Sequence, residues 1–79
     1  MTITEDRVRL ESRLCVVLKA SREDLDISQR ELATRMGWTR NVIANLETGR
    51  REIGMSDFLL ISKALGVPPE RILHRILHW

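Results

Sequence analysis

The chain has little of what many small folds depend on. It holds a single cysteine, Cys15, in 79 residues. One thiol cannot close a disulfide within the chain and cannot supply a multi-cysteine zinc site. Cys15 is therefore expected to act as a small apolar side chain on a helix. Four glycines, two prolines and three aromatics (Trp38, Phe58 and Trp79) are too few for a turn-rich β-sandwich. No hydrophobic run approaches the roughly 18 residues that a membrane span needs. Glu5 and Asp6 stand where a secretory signal would be basic and then apolar, so the expected location is the cytoplasm. No Ser/His/Asp set, acid pair or phosphate-gripping glycine loop is present. We expect no enzymatic role, no cofactor and no small-molecule ligand. His74 and His78 share a helical face but lack a third ligand, so no metal site is expected.

What is present is a globular balance, 30% charged and 43% hydrophobic, which argues against disorder. The length suits one domain, residues 1–79, with one modest core. The net charge of +2 hides an uneven distribution. Between residues 28 and 51, Arg30, Arg35, Arg40, Arg50 and Arg51 face only Glu31 and Glu47; residues 1–27 are slightly acidic and residues 52–79 balance. Arginine offers a planar fork of donors that matches phosphate oxygens and guanine edges. This concentration points toward nucleic acid, and the helical pattern sharpens it.

Helix boundaries are marked by capping residues. Thr4 is placed to cap a first helix running to about Arg22, with Val8, Leu14, Cys15, Val17 and Leu18 on a broad apolar stripe and Leu10 beside them. Ser28-Gln29-Arg30-Glu31 has the spacing of a capping box; it opens a second helix, Gln29 to Met36, that Gly37 closes. Thr39 is placed to cap a third over residues 40–48, closed by Gly49. Ser56 is placed to cap a fourth, Asp57 to Leu65, closed by Gly66. Pro68-Pro69 opens a last helix over residues 69–78. With no two-residue alternation anywhere, the predicted fold class is an all-α five-helix bundle.

The most informative stretch is residues 29–48, two short helices meeting across Gly37-Trp38-Thr39. So tight a connection sets the helices at a steep angle and demands a small side chain at the crossing, which Ala33 supplies. Gly37 suits a turn position with positive φ. Leu32, Met36, Trp38, Ile43 and Leu46 supply the inner apolar face. Together these residues meet the packing demands of a helix-turn-helix.

The pattern Ser28-Gln29-x-Glu31-Leu32-Ala33, then Gly37-x-Thr39-x-x-x-Ile43-x-x-Leu46-Glu47-x-Gly49-Arg50-Arg51, then Ala64-Leu65-Gly66-Val67, resembles the XRE (lambda-repressor-like) helix-turn-helix family. The resemblance covers roughly residues 14–73. It implies a five-helix fold that binds operator DNA, usually as a dimer on inverted repeats. It implies that Gln29 anchors the second helix at the phosphate backbone, and that Arg22 and Glu47 form a buried ion pair between the first and third helices. Arg22 continues the Leu18 and Cys15 face, which agrees with burial. Two positions depart from the pattern: Asp26 replaces a usual glycine, and Trp38 a smaller apolar residue.

With the third helix in the major groove, its outward residues become readers. Arg40, Asn41 and Asn45 are the expected base contacts, arginine suiting guanine and asparagine suiting adenine, with Val42 near a thymine methyl. Gln29, Thr39, Arg50 and Arg51 are the expected phosphate contacts, helped by amides at the helix starts. Ile72, Leu73, Ile76, Leu77 and Trp79 give the last helix more apolar surface than one-sided packing requires, so it is expected to pair two copies. The expected partners are thus double-stranded operator DNA and a second copy, and the expected role is a cytoplasmic, nucleoid-associated transcriptional regulator. Its small size resembles restriction–modification controller proteins and small phage repressors. The alternative is a protein-interaction module, such as the antitoxin of a toxin–antitoxin pair that also regulates its own operon.

Overall fold

The first helix begins two residues earlier than expected. The Thr2 hydroxyl accepts from the Glu5 amide at 3.1 Å, and the Glu5 carboxylate accepts from the Thr2 amide at 3.2 Å. Thr2-Ile3-Thr4-Glu5 is thus the reciprocal capping box, and Thr4 falls within the first turn. The computed structural model describes residues 2–79 as α1 (Ile3–Asp24), α2 (Gln29–Met36), α3 (Arg40–Glu47), α4 (Met55–Leu65) and α5 (Pro69–Leu77). Among the described residues there is no strand, and the fold is all-α.

Local chemistry sets most of the remaining boundaries. Asp26 turns the chain between α1 and α2 at φ 57, the one non-glycine residue with positive φ among those described. Aspartate tolerates this conformation better than most residues, which explains how it fills a place where glycine is usual. Gly37 sits at φ 68 past the end of α2, and the next amide, Trp38, donates back to the Ala33 carbonyl at 2.8 Å. The starts of α2 and α4 differ from expectation. Ser28 does accept from the Glu31 amide, but the Glu31 carboxylate pairs with Arg35 at 2.8 Å instead of reaching back. The fourth helix starts at Met55 rather than Asp57, because the Asp57 carboxylate accepts from the Gly54 amide and allows an earlier turn.

Every helix contributes to one apolar cluster. Val17 and Leu18 of α1 meet Leu32 and Ala33 of α2, Ile43 and Leu46 of α3, and Phe58, Ile61 and Leu65 of α4. Burying an aliphatic side chain of this size stabilises by ~1.5–3 kcal/mol before conformational entropy is counted. Ile72 and Ile76 of α5, expected between two copies, complete the cluster within the chain, and Ile76 also borders the groove that Leu73 and Leu77 line. Ile72 is fully buried within the chain, so it has no surface left to offer a partner. Arg75 fastens α5 to α1 by donating to the Ser21 hydroxyl at 3.2 Å and the Asp24 carboxylate at 3.3 Å. The α1 stripe packs only from Leu14 onward; Val8 and Leu10 are exposed on the first turns of the helix.

Candidate nucleic-acid interface

Side chains from α1, α2 and α3 converge on the end of α3. Arg22 Nε donates to Glu47 Oε2 at 2.7 Å, and Nη2 donates to Oε1 at 3.0 Å, a two-pronged match of guanidinium to carboxylate. Its remaining Nη1 donates to the Ile27 carbonyl at 2.7 Å. Gln29 Nε2 joins from the start of α2, donating to Glu47 Oε1 at 3.0 Å. The charged side chains are only 8% and 5% exposed. Hydrogen bonding to Glu47 holds the Arg22 pKa above its ordinary value, against the opposing effect of burial. The Glu47 carboxylate therefore ties α1 and α2 to α3, and Arg22 holds the loop between α1 and α2 to the same junction. Gln29, expected at the phosphate backbone, turns one amide donor inward to this junction.

With Ile43 and Leu46 buried, the opposite side of α3 faces solvent. Successive residues are about 100° apart around a helix, which groups Arg40, Asn41, Ala44 and Asn45 on the outer side. Arg40, Asn41 and Asn45 are exposed, and Ala44 between them is half-buried and small. Val42 stands at the edge of this row, half-buried against the core cluster, so less of it is presented outward than was expected. Thr39 takes the N-cap backbone conformation but its hydroxyl makes no cap hydrogen bond. The hydroxyl and the first amides of α3 thus remain at the helix's positive end, an arrangement suited to an anion.

Beyond α3 the chain reverses at Gly49, φ 76, and the amides of Arg50 and Arg51 both donate to the Asn45 carbonyl, at 2.9 and 3.2 Å. Both arginines are exposed. The Arg51 guanidinium carbon lies 5.0 Å from the centre of the Trp38 ring, and Arg51 Nη2 is 4.0 Å from the Asp57 carboxylate. This contact spans thirteen positions of sequence and two loops, and no local periodicity signals it. Arg35 is committed elsewhere, to Glu31 and to the Ala64 carbonyl at 2.9 Å. Arg30, by contrast, stays exposed at the start of α2.

A second surface lies away from this one. Leu73 and Leu77 of α5 line an apolar groove of about 290 Å³ with Leu10 and Leu14 of α1 and Met55 of α4. Met55 and Leu77 are about two-thirds exposed, and Leu10 and Leu73 nearly half. Trp79 is exposed beside Arg13, whose guanidinium carbon is 5.8 Å from its ring centre. The His74 and His78 rings lie 4.3 Å apart. Among the described residues no three His, Cys, Asp or Glu side chains gather as metal ligands, and no helix is long and apolar enough to cross a membrane.

Two short helices joined at a glycine turn, the second locked from behind and bare in front, define a helix-turn-helix protein. The helix-turn-helix family model matches residues 18–72, and the chain belongs to that family. Among solved structures, the chain is similar to the clp gene regulator ClgR from Corynebacterium glutamicum, with 26% identity, 87% of this chain and 90% of that chain covered, and a TM-score of 0.81. It is also similar to the restriction–modification controller protein C.Esp1396I, with 25% identity, 87% and 88% covered, and a TM-score of 0.82. An XRE-family-like protein from Pseudomonas syringae pv. tomato shares the fold at 24% identity, with 95% and 90% covered and a TM-score of 0.78. No curated protein matches the chain by sequence.

Proposed function

We propose that the chain is a sequence-specific, double-stranded-DNA-binding transcriptional regulator that acts in the cytoplasm at the nucleoid. Family membership and the likeness to two regulators support the DNA-binding role. The observation that carries it is the outer row of α3, where Arg40, Asn41 and Asn45 stand exposed while Ile43, Leu46 and Glu47 hold the helix from behind. In the major groove Arg40 reads guanine and the asparagines read adenine, each good pair adding ~1–3 kcal/mol of discrimination. Val42 meets a thymine methyl with its exposed edge. Thr39, Arg50, Arg51 and the free donor of Gln29 take phosphates, fixing register without reading sequence.

The reading extends to a homodimer on an inverted-repeat operator. The groove between α1, α4 and α5 is the surface a second copy would cover, through Leu73 and Leu77 with Leu10 and Met55; Trp79, also expected there, lines a separate hollow with Val8 and Arg13 and would join only if the interface reached round α1. A two-fold axis there would set the recognition helices on half-sites about 34 Å apart, one turn of B-DNA. The outer row of α3 is polar and cationic, which favours DNA over an apolar protein partner on that face. Selection of binding sites from random duplex DNA tests binding, symmetry and spacing at once. On the selected site, Arg40→Ala is expected to lose roughly 5- to 150-fold, equivalent to ~1–3 kcal/mol, with little change on random DNA. Arg50→Ala should weaken both alike and lower the log–log salt slope by about 0.9. An unchanged cognate-to-random ratio for Arg40→Ala would mean that α3 is not the reader.

A further inference from the structure

We propose that Trp38 is a positioning residue for DNA binding: its indole face seats the Arg51 guanidinium and holds it ready for a phosphate. The inference rests on the DNA-binding reading above and deepens it. The guanidinium carbon stands 5.0 Å from the ring centre, within the ~6 Å over which a cation is attracted to an aromatic face. Trp38 suits the role because it is itself immobilised. Its amide is bonded to the Ala33 carbonyl, and its ring is half-buried against the core cluster. Arg51 is tethered from the other end by its amide bond to the Asn45 carbonyl, in the last turn of the recognition helix. Asp57 approaches one nitrogen at 4.0 Å, which leaves the remaining donors of an exposed side chain available.

A free arginine must give up much of its rotational freedom when it grips a phosphate. Arg51 has given up part of that freedom before DNA arrives, whereas among the described residues no ring or acidic group holds Arg50, its neighbour on the same carbonyl. A guanidinium has five N–H donors, so those not turned toward the ring stay open to a phosphate oxygen. Trp38 thus acts through Arg51 and touches no base.

The test is a double-mutant cycle on the full chain, read by fluorescence anisotropy with a random-sequence duplex and with the selected site. Trp38→Leu keeps apolar bulk but removes the ring; it is expected to weaken both DNAs alike by about 2- to 5-fold, the range an exposed cation–π contact can supply. Trp38→Phe should recover most of the loss. Once Arg51→Ala is in place, adding Trp38→Leu should cost nothing more. Additive losses, or Trp38→Leu binding at full strength, overturn the positioning role while leaving the DNA-binding reading intact. Arg51→Ala with an unchanged salt slope also overturns it, and this readout does not depend on the folding of any Trp38 variant. Wild-type protein that enriches no duplex sinks both ideas. Independently, the Arg51 side-chain protons should show ring-current shifts in the free protein that vanish in Trp38→Leu. Their absence in the wild type refutes the stack directly.

Discussion

Replacing Glu47 by alanine tests the junction on which the orientation of α3 depends. The wild-type carboxylate accepts two hydrogen bonds from Arg22 and one from Gln29 in a site almost closed to water. Without it, Arg22 keeps its charge, loses its counter-ion and retains only the Ile27 carbonyl. Removing one partner of a buried pair typically costs ~3–5 kcal/mol, most of it the penalty on the charge left behind. A chain of this length has ~4–12 kcal/mol of stability in total. Each kcal/mol moves the midpoint of a domain this size by ~4–8 °C, so the melting temperature should fall by roughly 12–40 °C. Urea and thermal unfolding followed by circular dichroism give the value. The paired replacement Arg22→Met with Glu47→Leu separates pair from orphan: it removes both charges and should restore most of the loss, less ~1–3 kcal/mol for the unbonded Ile27 carbonyl. A loss below ~1 kcal/mol for Glu47→Ala, the worth of a surface ion pair, would refute the buried junction.

Two further measurements probe other parts of the molecule. Ile72→Ala should cost ~2–5 kcal/mol by leaving a cavity in the core. Leu77→Glu should change the unfolding free energy of the single chain by less than ~0.5 kcal/mol yet abolish self-association in sedimentation experiments. A wild-type chain that sediments as one copy at every concentration removes the dimer from the proposed function. Burial pushes the Cys15 thiol pKa above its ordinary value, an effect larger than the opposing backbone hydrogen bonding. Below that raised pKa the folded thiol holds less thiolate than the unfolded one. Alkylation near pH ~8.5, the ordinary thiol pKa, should therefore run several-fold slower in buffer than in denaturant. The sign also means that Cys15 favours the folded state at neutral pH and loses that contribution as pH rises from the ordinary value through the raised one. Equal alkylation rates would show that the thiol is not shielded.

Helix type and order were legible because each rests on short-range chemistry. Serine or threonine ahead of an apolar run, glycine after it and three-to-four spacing are local signals, and five helices follow from them. The errors at helix starts arose where two local signals competed. Thr2 and Thr4 both stand ahead of the first apolar residues of the α1 stripe, and only Thr2 has glutamate three residues on. Ser56 resembles a cap, yet Asp57 reaches back to Gly54 and starts α4 earlier. The apolar residues of α5 pose a question of another kind. Five apolar residues on a ten-residue helix state how much surface must be covered but not by what.

By itself, then, the chain's composition and spacing determined an all-α fold, a helix-turn-helix between residues 29 and 48, and an arginine-rich middle. Only the folded arrangement decided that Ile72 and Ile76 close the core while Leu73 and Leu77 stay outside, and that Gln29 shares Glu47 with Arg22. It also set Arg51 against Trp38. These outcomes depend on how helices far apart in sequence cross, because a side chain's partner is fixed by distance in space. Periodicity reports only which way each side chain leaves its own helix.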